Sequence, residues 1–145
     1  FNDKERTSAL TSICSLLNVV LPEGQPNKKI YNSFENLINS IKLDNWIILY
    51  IFFELNLIKS LGYDVNLNQY ANIIDDLLEI KKIKIDGYIY DVPCYLILKK
   101  TPNKISNNLI RKSLYFTRNI IQNKFFLPNN IPFPKSRVIL ENYFN

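Results

Sequence analysis

The sequence predicts a mainly α-helical fold, a single helical domain of about five helices with a small β-hairpin in its middle third. Apolar residues recur at intervals of three and four along most of the 145-residue chain, as in helices that bury one face. Positions 77–93 instead alternate apolar and polar residues around Asp86-Gly87, which is typical of a hairpin. The length fits one domain with a substantial core, and we expect that domain to span residues 1–145.

The first two helices are separated by a cluster of helix-breaking residues. Asn2 or Asp3 can cap a first helix that ends near Leu21, with an amphipathic stripe of Ala9, Leu10, Ile13, Leu16, Leu17 and Val20. The segment PEGQPN at positions 22–27 then ends that helix. A second helix follows, with an apolar face of Ile30, Tyr31, Phe34, Leu37, Ile38 and Ile41. Short connections predict that neighbouring helices pack nearly antiparallel.

The third helix is predicted from Asn45 to Leu61, with Asp44 as its cap, and it is apolar on nearly every side. Its polar residues share one narrow arc, formed by Asn45, Asn56, Lys59 and Ser60. Glu54 lies opposite that arc, where an unpaired carboxylate would cost several kcal/mol. Because no histidine, metal-ligand set or second carboxylate shares this face, we interpret Glu54 as half of a structural ion pair rather than as a general acid or base.

The last third of the chain predicts a long helix and a short one. The long helix should run from Asn103 to about Phe126, where LPNNIPFP breaks it, and Ser136 should start a short helix through Tyr143. Two stripes of the long helix are expected in the core: Ile105, Leu109, Phe116 and Ile120, and Ile110, Leu114, Ile121 and Phe125.

Composition excludes several classes of function. The chain has no histidine, which excludes imidazole catalysis, and its two cysteines, Cys14 and Cys94, cannot build a protein-only zinc site or a disulfide framework. We therefore predict no metal, no cofactor and no enzymatic activity. No apolar run reaches the roughly 18–20 residues of a membrane span. The net charge of +5 mildly favours an anionic partner.

Basic residues on the long helix suggest a surface for single-stranded nucleic acid. Lys104, Arg111 and Arg118 are spaced by seven, and Tyr115 follows Arg111 by one turn. Cations can hold phosphates while an aromatic ring stacks on bases. An ordinary solvated helix face is the competing interpretation. The complete predicted DNA-binding set is Lys104, Arg111, Lys112, Tyr115, Arg118, Lys124, Lys135 and Arg137.

Three segments carry a resemblance to a known family. They are FELNLIKSLGYDVNL at positions 53–67, RKSLYFTRNII at positions 111–121 and IPFPKSRVILENYF at positions 131–144, and a Leu21-Pro22-Glu23 break precedes them. In this order and spacing they resemble the RecO family of bacterial DNA repair proteins. Phe116-Thr117-Arg118 and Pro134-Lys135-Ser136-Arg137 match the family's two C-terminal helices position by position.

The resemblance implies a recombination mediator that binds single-stranded DNA, anneals strands and, with RecR, helps to load RecA. It also implies binding to the C-terminal tail of the single-strand-binding protein, in a bacterial cytoplasm and associated with the nucleoid. The family's OB-fold would precede Phe1, so we interpret the chain as a helical C-terminal piece of something longer. Tyr70 stands where some relatives begin a four-cysteine zinc site, so positions 63–100 are expected to form a degenerate, zinc-free insertion.

Two further expectations follow from the resemblance. Glu54 should pair with Arg118 or Arg137 of the matching C-terminal segments. Relatives often carry a basic residue where this chain has Ile51-Phe52, so tail binding should use a hydrophobic groove among the first three helices with Lys42 or Lys59 at its rim. The alternative function is a helical protein-interaction module without a role in nucleic-acid binding.

Overall fold

The computed structural model describes residues 3–21, 27–63 and 65–145. The α-helices within these ranges are α1 (Lys4–Val20), α2 (Lys28–Ser40), α3 (Trp46–Ser60), α4 (Cys94–Leu98), α5 (Asn107–Ile121) and α6 (Lys135–Asn142). A 3₁₀ helix spans Leu67–Ile73, a π-helical turn spans Gln122–Phe126, and two strands, β1 (Ile80–Ile85) and β2 (Tyr88–Pro93), form an antiparallel hairpin. The prediction of a mainly α-helical fold with a small hairpin is confirmed, with more short helical elements than expected.

The first two helices begin at side-chain caps. Asp3 accepts hydrogen bonds from the backbone N–H groups of Glu5 and Arg6, and Asn27 caps α2 in the same way through Ile30 N–H. Asn2 and positions 22–26 of the predicted break lie outside the described residues. On α2 the predicted apolar face is only partly correct, because Tyr31 and Ile38 are exposed while Ile30, Leu37 and Ile41 are buried.

The core surrounds α3. This helix packs against α2 on one side and α5 on another, while α1 and α6 pack against each other. Nine of its residues are buried: Trp46, Ile47, Ile48, Tyr50, Ile51, Phe53, Glu54, Leu57 and Ile58. The predicted Asp44 cap is wrong, because Asn45 occupies the capping position and makes no side-chain capping bond. The apolar residues of α3 therefore hold it in place by burial rather than through a polar cap.

The hairpin closes where the sequence predicted it. Ile85 pairs with Tyr88, and Asp86 and Gly87 between them both have positive φ angles, of 49° and 89°. This is the backbone of the tight turns that join antiparallel strands with a native twist. Ile83, Tyr90 and Val92 point into the core, and β2 packs on α5. The hairpin therefore lies beside α5, where it forms one wall of a surface groove described below.

The long helix begins later than predicted. Ser106 caps α5 by accepting from Leu109 N–H, so the helix starts at Asn107 and the predicted start at Asn103 is wrong. Its predicted core stripes are otherwise largely buried, and Ile105 lies before the first turn. The continuation through Phe126 is a π-helical turn. The short terminal helix begins at Lys135, one residue from the prediction.

None of the helices in the described ranges is long and apolar enough to cross a membrane. Cys14 is exposed and Cys94 is buried, and both are free thiols.

Candidate functional site

Glu54 of α3 and Arg137 of α6 form a bidentate ion pair inside the core. Arg137 Nε donates to Glu54 Oε2 at 2.6 Å, and Arg137 Nη2 donates to Oε1 at 2.9 Å. Both side chains are 0% exposed. Of the two arginines proposed from the sequence as the partner of Glu54, the structure places Arg137 there.

Two hydroxyl groups complete the hydrogen bonding of the Glu54 carboxylate. Tyr50, one turn earlier on α3, donates its OH to Oε2 at 2.9 Å, and Thr117 Oγ1 of α5 donates to Oε1 at 2.7 Å. Each carboxylate oxygen therefore accepts one bond from Arg137 and one from a hydroxyl. A buried carboxylate requires this degree of satisfaction to offset the loss of its hydration.

A second ion pair extends the cluster through α6. Arg137 Nη1 donates to Glu141 Oε1 at 3.0 Å, and Arg137 Nη2 also donates to the backbone oxygen of Leu114 at 3.0 Å. Arg118 Nε lies 2.7 Å from the same Glu141 oxygen, but its N–H does not point at that oxygen, so this contact is an ion pair without a directed hydrogen bond. We call the set Tyr50, Glu54, Thr117, Arg118, Arg137 and Glu141 the core cluster.

The electrostatics of the core cluster follow from burial and from the alternating charges. Burial raises the pKa of Tyr50 well above its usual value, and the neighbouring Glu54 carboxylate raises it further. Burial also raises the pKa of Glu141, against the lowering effect of Arg137 and Arg118. Burial alone would lower the pKa of Arg137, but Glu54, Tyr50 and Glu141 together outweigh the effect of burial, and the pKa is raised. At neutral pH Tyr50 therefore remains a hydroxyl donor and Arg137 a cation.

The core cluster can fasten helices together but offers no access to a substrate. It links α3, α5 and α6, and all of its side chains except Arg118, which is 25% exposed, are almost entirely removed from solvent. Ser136, beside Arg137, extends the link to α1, because its backbone oxygen accepts from Ser12 Oγ and its hydroxyl donates to Ser15 Oγ. Any molecule that reached Glu54 would have to separate these helices first.

The predicted basic face of the long helix is smaller than its sequence spacing suggested. Lys104 precedes α5, which starts at Asn107, so the helical spacing does not include it. Arg118 is held by Glu141, and its guanidinium also lies 5.1 Å from the centre of the Tyr115 ring. Arg111 remains on the surface and donates to Asn108 Oδ1 at 2.9 Å. The predicted alignment of three cations along one helix is therefore wrong, because one lies off the helix and another is engaged internally.

The remaining predicted DNA-binding residues are divided between interior and surface. Arg137 is fully buried, so its placement among them is wrong. Lys124 forms an ion pair with Asp86 of the hairpin turn. Lys135 is exposed at the first turn of α6, and Tyr115 is 40% exposed on α5.

A groove of about 240 Å³ between the hairpin and α5 brings some of these residues together. Lys112 and Tyr115, one turn apart on α5, line it opposite Lys82 of β1 and Tyr90 and Asp91 of β2. Lys82 pairs with Asp91 at 3.0 Å and is largely exposed. Lys82 is not among the DNA-binding residues predicted from the sequence, although its outward position in an alternating strand was a signal for it. We call this the hairpin–α5 groove.

A second groove lies between α2 and α3. Its apolar part, of about 210 Å³, is lined by Leu37, Leu49, Phe52 and Phe53. An adjoining hollow shares Ser33 and Asn56 with it and ends at Lys29 and Lys59. Lys42 is exposed in the turn after α2 and does not line either hollow. Of the two lysines proposed from the sequence, Lys59 is at the rim, and Lys29 was missed. We call this the α2–α3 groove.

Within the described ranges, no group of three or more histidine, cysteine, aspartate or glutamate residues is placed to hold a metal ion. Tyr70, at the position of the first zinc ligand in some relatives, lies in the 3₁₀ helix.

Comparison with protein families gives a match to the model described as "Recombination protein O C terminal", over residues 2–95. The matched part includes Glu54 and the FELNLIKSLGY segment and ends within α4. The segments around Thr117 and Arg137 lie beyond it.

Several curated bacterial proteins called DNA repair protein RecO are similar to this chain. The protein of Ehrlichia chaffeensis is 37% identical over 71 residues, which are 48% of this chain and 29% of that protein. The protein of Cereibacter sphaeroides is 28% identical over 71 residues, with 49% and 30% covered. The protein of Anaplasma marginale is 30% identical over 83 residues, with 55% and 35% covered. The chain thus spans about a third of the length of these relatives. No solved structure matches it.

Proposed function

Because the family model matches residues 2–95 of the 145, this chain belongs to the RecO C-terminal family, and on that premise we propose that it takes part in DNA repair and recombination. In this proposal residues 1–145 form one helical domain in which residues 63–100 are a zinc-free insertion. The domain acts in the bacterial cytoplasm, at the nucleoid, by binding and not by catalysis. Its partners are single-stranded DNA, the tail of the single-strand-binding protein and RecR, in support of strand annealing and RecA loading.

The observation that carries the DNA-binding part of the proposal is the hairpin–α5 groove. Lys112 and Tyr115 line one wall of it and Lys82 lies on the other, so two cations flank an exposed ring. Arg111 lies next to Lys112 and extends the cationic surface along α5. Phosphates would contact the cations while a base stacks on Tyr115, which is a binding mode that tolerates any sequence. Asp91 neutralises part of the charge of Lys82, so the surface would assist a stronger DNA-binding element.

Partner binding is assigned in this proposal to the α2–α3 groove. The tail of the single-strand-binding protein is acidic and ends in apolar residues, so it needs a pocket and a cation. Leu37, Phe52 and Phe53 supply apolar walls, and Lys29 and Lys59 supply charge at the other end of the same groove. The two lysines can thereby take the place of the basic residue that relatives often carry at the position of Ile51-Phe52.

The test of DNA binding is the salt dependence of oligo-dT affinity, measured by fluorescence anisotropy on the purified chain. The double variant Arg111→Ala, Lys112→Ala should reduce the slope of log K against log salt by about 1.4, since each lost phosphate contact removes about 0.7 for a single strand. Lys28→Ala with Lys29→Ala is the matched control, because it removes the same charge from exposed positions on α2. An unchanged slope in a folded Arg111, Lys112 variant would show that these residues do not contact DNA and form an ordinary solvated helix face.

The alternative is a helical protein-interaction module that does not bind nucleic acid. It is favoured by the internal engagement of three predicted DNA-binding cations, since Arg137 and Arg118 belong to the core cluster and Lys124 pairs with Asp86. In that case the chain would bind the tail peptide but would show no oligo-dT affinity even at low salt. The same anisotropy measurement with both probes separates the two functions.

A further inference from the structure

A third groove, of about 460 Å³, runs between α1 and α6. From α1 it is lined by Lys4, Thr7 and Thr11, and from α6 by Ser136 and Ile139, with Tyr143 just beyond the end of that helix. It shares no lining residue with the hairpin–α5 groove or the α2–α3 groove. We call it the α1–α6 groove, and neither of the binding roles proposed above uses it.

The two helices that form the α1–α6 groove run antiparallel. Ser12 Oγ donates to Ser136 O at 3.0 Å, which places the start of α6 beside the middle of α1. Tyr143 at the other end lines the groove together with Lys4, at the start of α1. The lining residues on each side span eight positions, 4–11 and 136–143, which correspond to a rise of about 10 Å at 1.5 Å per residue. The groove is thus as long as about two turns of a helix, which could pack against α1 and α6 as a third neighbour.

The α6 side of the groove exposes apolar side chains. Ile139 is 51% exposed and Tyr143 is 37% exposed, and both line the groove, while Val138, 38% exposed, lies next to Ile139 on α6 without lining it. Single exposed apolar residues are common on protein surfaces, but a cluster that borders a groove is characteristic of a binding surface. Thr7 and Thr11 line the α1 side of the same groove.

The charge of the lining indicates the chemistry of the partner. Lys4 is exposed at one end of the groove, and among the described residues no carboxylate lines it. In a symmetric dimer formed through this groove, the second copy would add another Lys4 and no acid from the described lining, which disfavours that mode of self-association. We propose that the α1–α6 groove binds an amphipathic helix of a partner protein, with apolar residues facing Ile139 and Tyr143 and an acidic residue facing Lys4. This is the helix-in-groove mode of recognition.

The test is selection of a displayed library of random peptides of roughly 16 residues, about four helical turns, against the whole chain. Peptides that depend on the groove are those that bind the parent and not the Ile139→Asp variant. Since Ile139 is half exposed, that variant should fold, and its melting temperature checks this. We expect the groove-dependent peptides to be net acidic, with apolar residues spaced by three and four. The Lys4→Glu variant should bind these peptides about tenfold more weakly, which equals about 1.4 kcal/mol of binding free energy.

Ile73→Asp is the matched control, because Ile73 is 56% exposed on the 3₁₀ helix and lines none of the three grooves. It should leave the affinity of these peptides within about twofold, a difference too small to matter. The proposal is overturned if no peptide depends on Ile139, or if the dependent peptides are neutral or basic. It is also overturned if sedimentation reveals a dimer of the parent chain that Ile139→Asp dissociates, since the groove would then bind a second copy.

Discussion

Arg137 of α6 donates hydrogen bonds to both carboxylate oxygens of Glu54 of α3, at 2.6 and 2.9 Å, although 83 positions separate the two residues in the chain. The pair connects the part of the chain that matches the family model, which contains Glu54, with the C-terminal part beyond residue 95. Since α3 is surrounded by core and α6 also packs on α1, the pair fixes α6 relative to the centre of the domain. The long-range arrangement of the helices thus depends on a contact that is polar and fully buried.

We predict that Glu54→Gln lowers the free energy of unfolding by about 3–5 kcal/mol, because it leaves the buried Arg137 guanidinium without its principal counter-charge. Urea unfolding at pH 7 measures the change. Arg137→Met should cost a similar amount, and the double variant should cost little more than either single change, because the two residues act as one unit.

Glu35→Gln is the control for the loss of a carboxylate, because Glu35 is exposed on α2. It should change the free energy of unfolding by less than about 0.5 kcal/mol. If Glu54→Gln melts within a degree or two of the parent, the buried pair does not stabilise the fold. Costs of Glu54→Gln and Arg137→Met that simply add would show that the two residues are not coupled.

We predict that stability falls as the pH rises from about 10 to about 12. Burial raises the pKa of Tyr95 from 10.0 to about 12, partly offset by its 2.6 Å hydrogen bond with Ser113. As the pH rises, the unfolded chain loses the phenol proton of Tyr95 at a lower pH than the folded chain does. The contribution of Tyr95 to the free energy of unfolding is therefore complete below about pH 10 and is lost as the pH approaches the folded pKa. A difference of two pKa units corresponds to a loss of roughly 3 kcal/mol, since one unit is worth about 1.4 kcal/mol. Tyr50 and Tyr90 have pKa values raised in the same direction.

Tyr95→Phe should flatten the alkaline part of the stability curve, measured by urea unfolding at pH 8, 10 and 11.5 as set points around the reference pKa of about 10. It should also cost roughly 1 kcal/mol at neutral pH through the lost hydrogen bond. Tyr31→Phe is the control, because Tyr31 is 59% exposed on α2. An alkaline slope that is equal in the parent and in Tyr95→Phe would contradict the assignment to Tyr95.

The sequence predicted those features that depend on local patterns. The position of Glu54 opposite the polar arc of α3 required it to be buried and paired, and Asp86-Gly87 required a turn. The partner of Glu54 could not be decided, because Arg118 and Arg137 both lie in segments that had to pack nearby. The choice depends on where α6 lies relative to α5, which is set by tertiary packing.

The errors in the predicted DNA surface have the same origin. Asn103 and Ser106 are both good capping residues, and only the folded chain selects Ser106, which removes Lys104 from the helix. Arg118 was predicted to face solvent or Glu54, but it forms an ion pair with Glu141 on the neighbouring helix instead. Lys82 comes from a different element, so spacing along one helix could not find it. Surfaces assembled from several elements are less predictable from sequence than the core of each element.

We predict that Lys59→Glu weakens binding of an acidic tail peptide by about tenfold or more, because it reverses a charge at the end of the α2–α3 groove. Titration of a fluorescently labelled peptide of the single-strand-binding protein tail measures the affinity. Lys42→Glu is a closely matched control, since it makes the same change of net charge at an exposed lysine that does not line the groove. It should weaken binding by less than about threefold.

Equal effects of Lys59→Glu and Lys42→Glu would mean that the peptide responds to net charge and does not occupy the α2–α3 groove. Absence of peptide binding by the parent chain at high micromolar concentration would mean that Lys29 and Lys59 do not compensate for Ile51-Phe52.

We predict finally that Tyr115→Ala weakens oligo-dT binding by roughly 1–3 kcal/mol, the usual contribution of one base stacked on an aromatic ring. The guanidinium of Arg118 lies over the ring of Tyr115, 5.1 Å from its centre, and the side chain of Tyr115 is still 40% exposed. Tyr115→Phe should keep the affinity, because stacking needs the ring and not the hydroxyl. Tyr31→Ala, on α2, is the control for loss of an exposed tyrosine. If Tyr115→Ala and Tyr31→Ala bind oligo-dT equally well, Tyr115 makes no stacking contact and DNA binding through this groove rests on its cations alone.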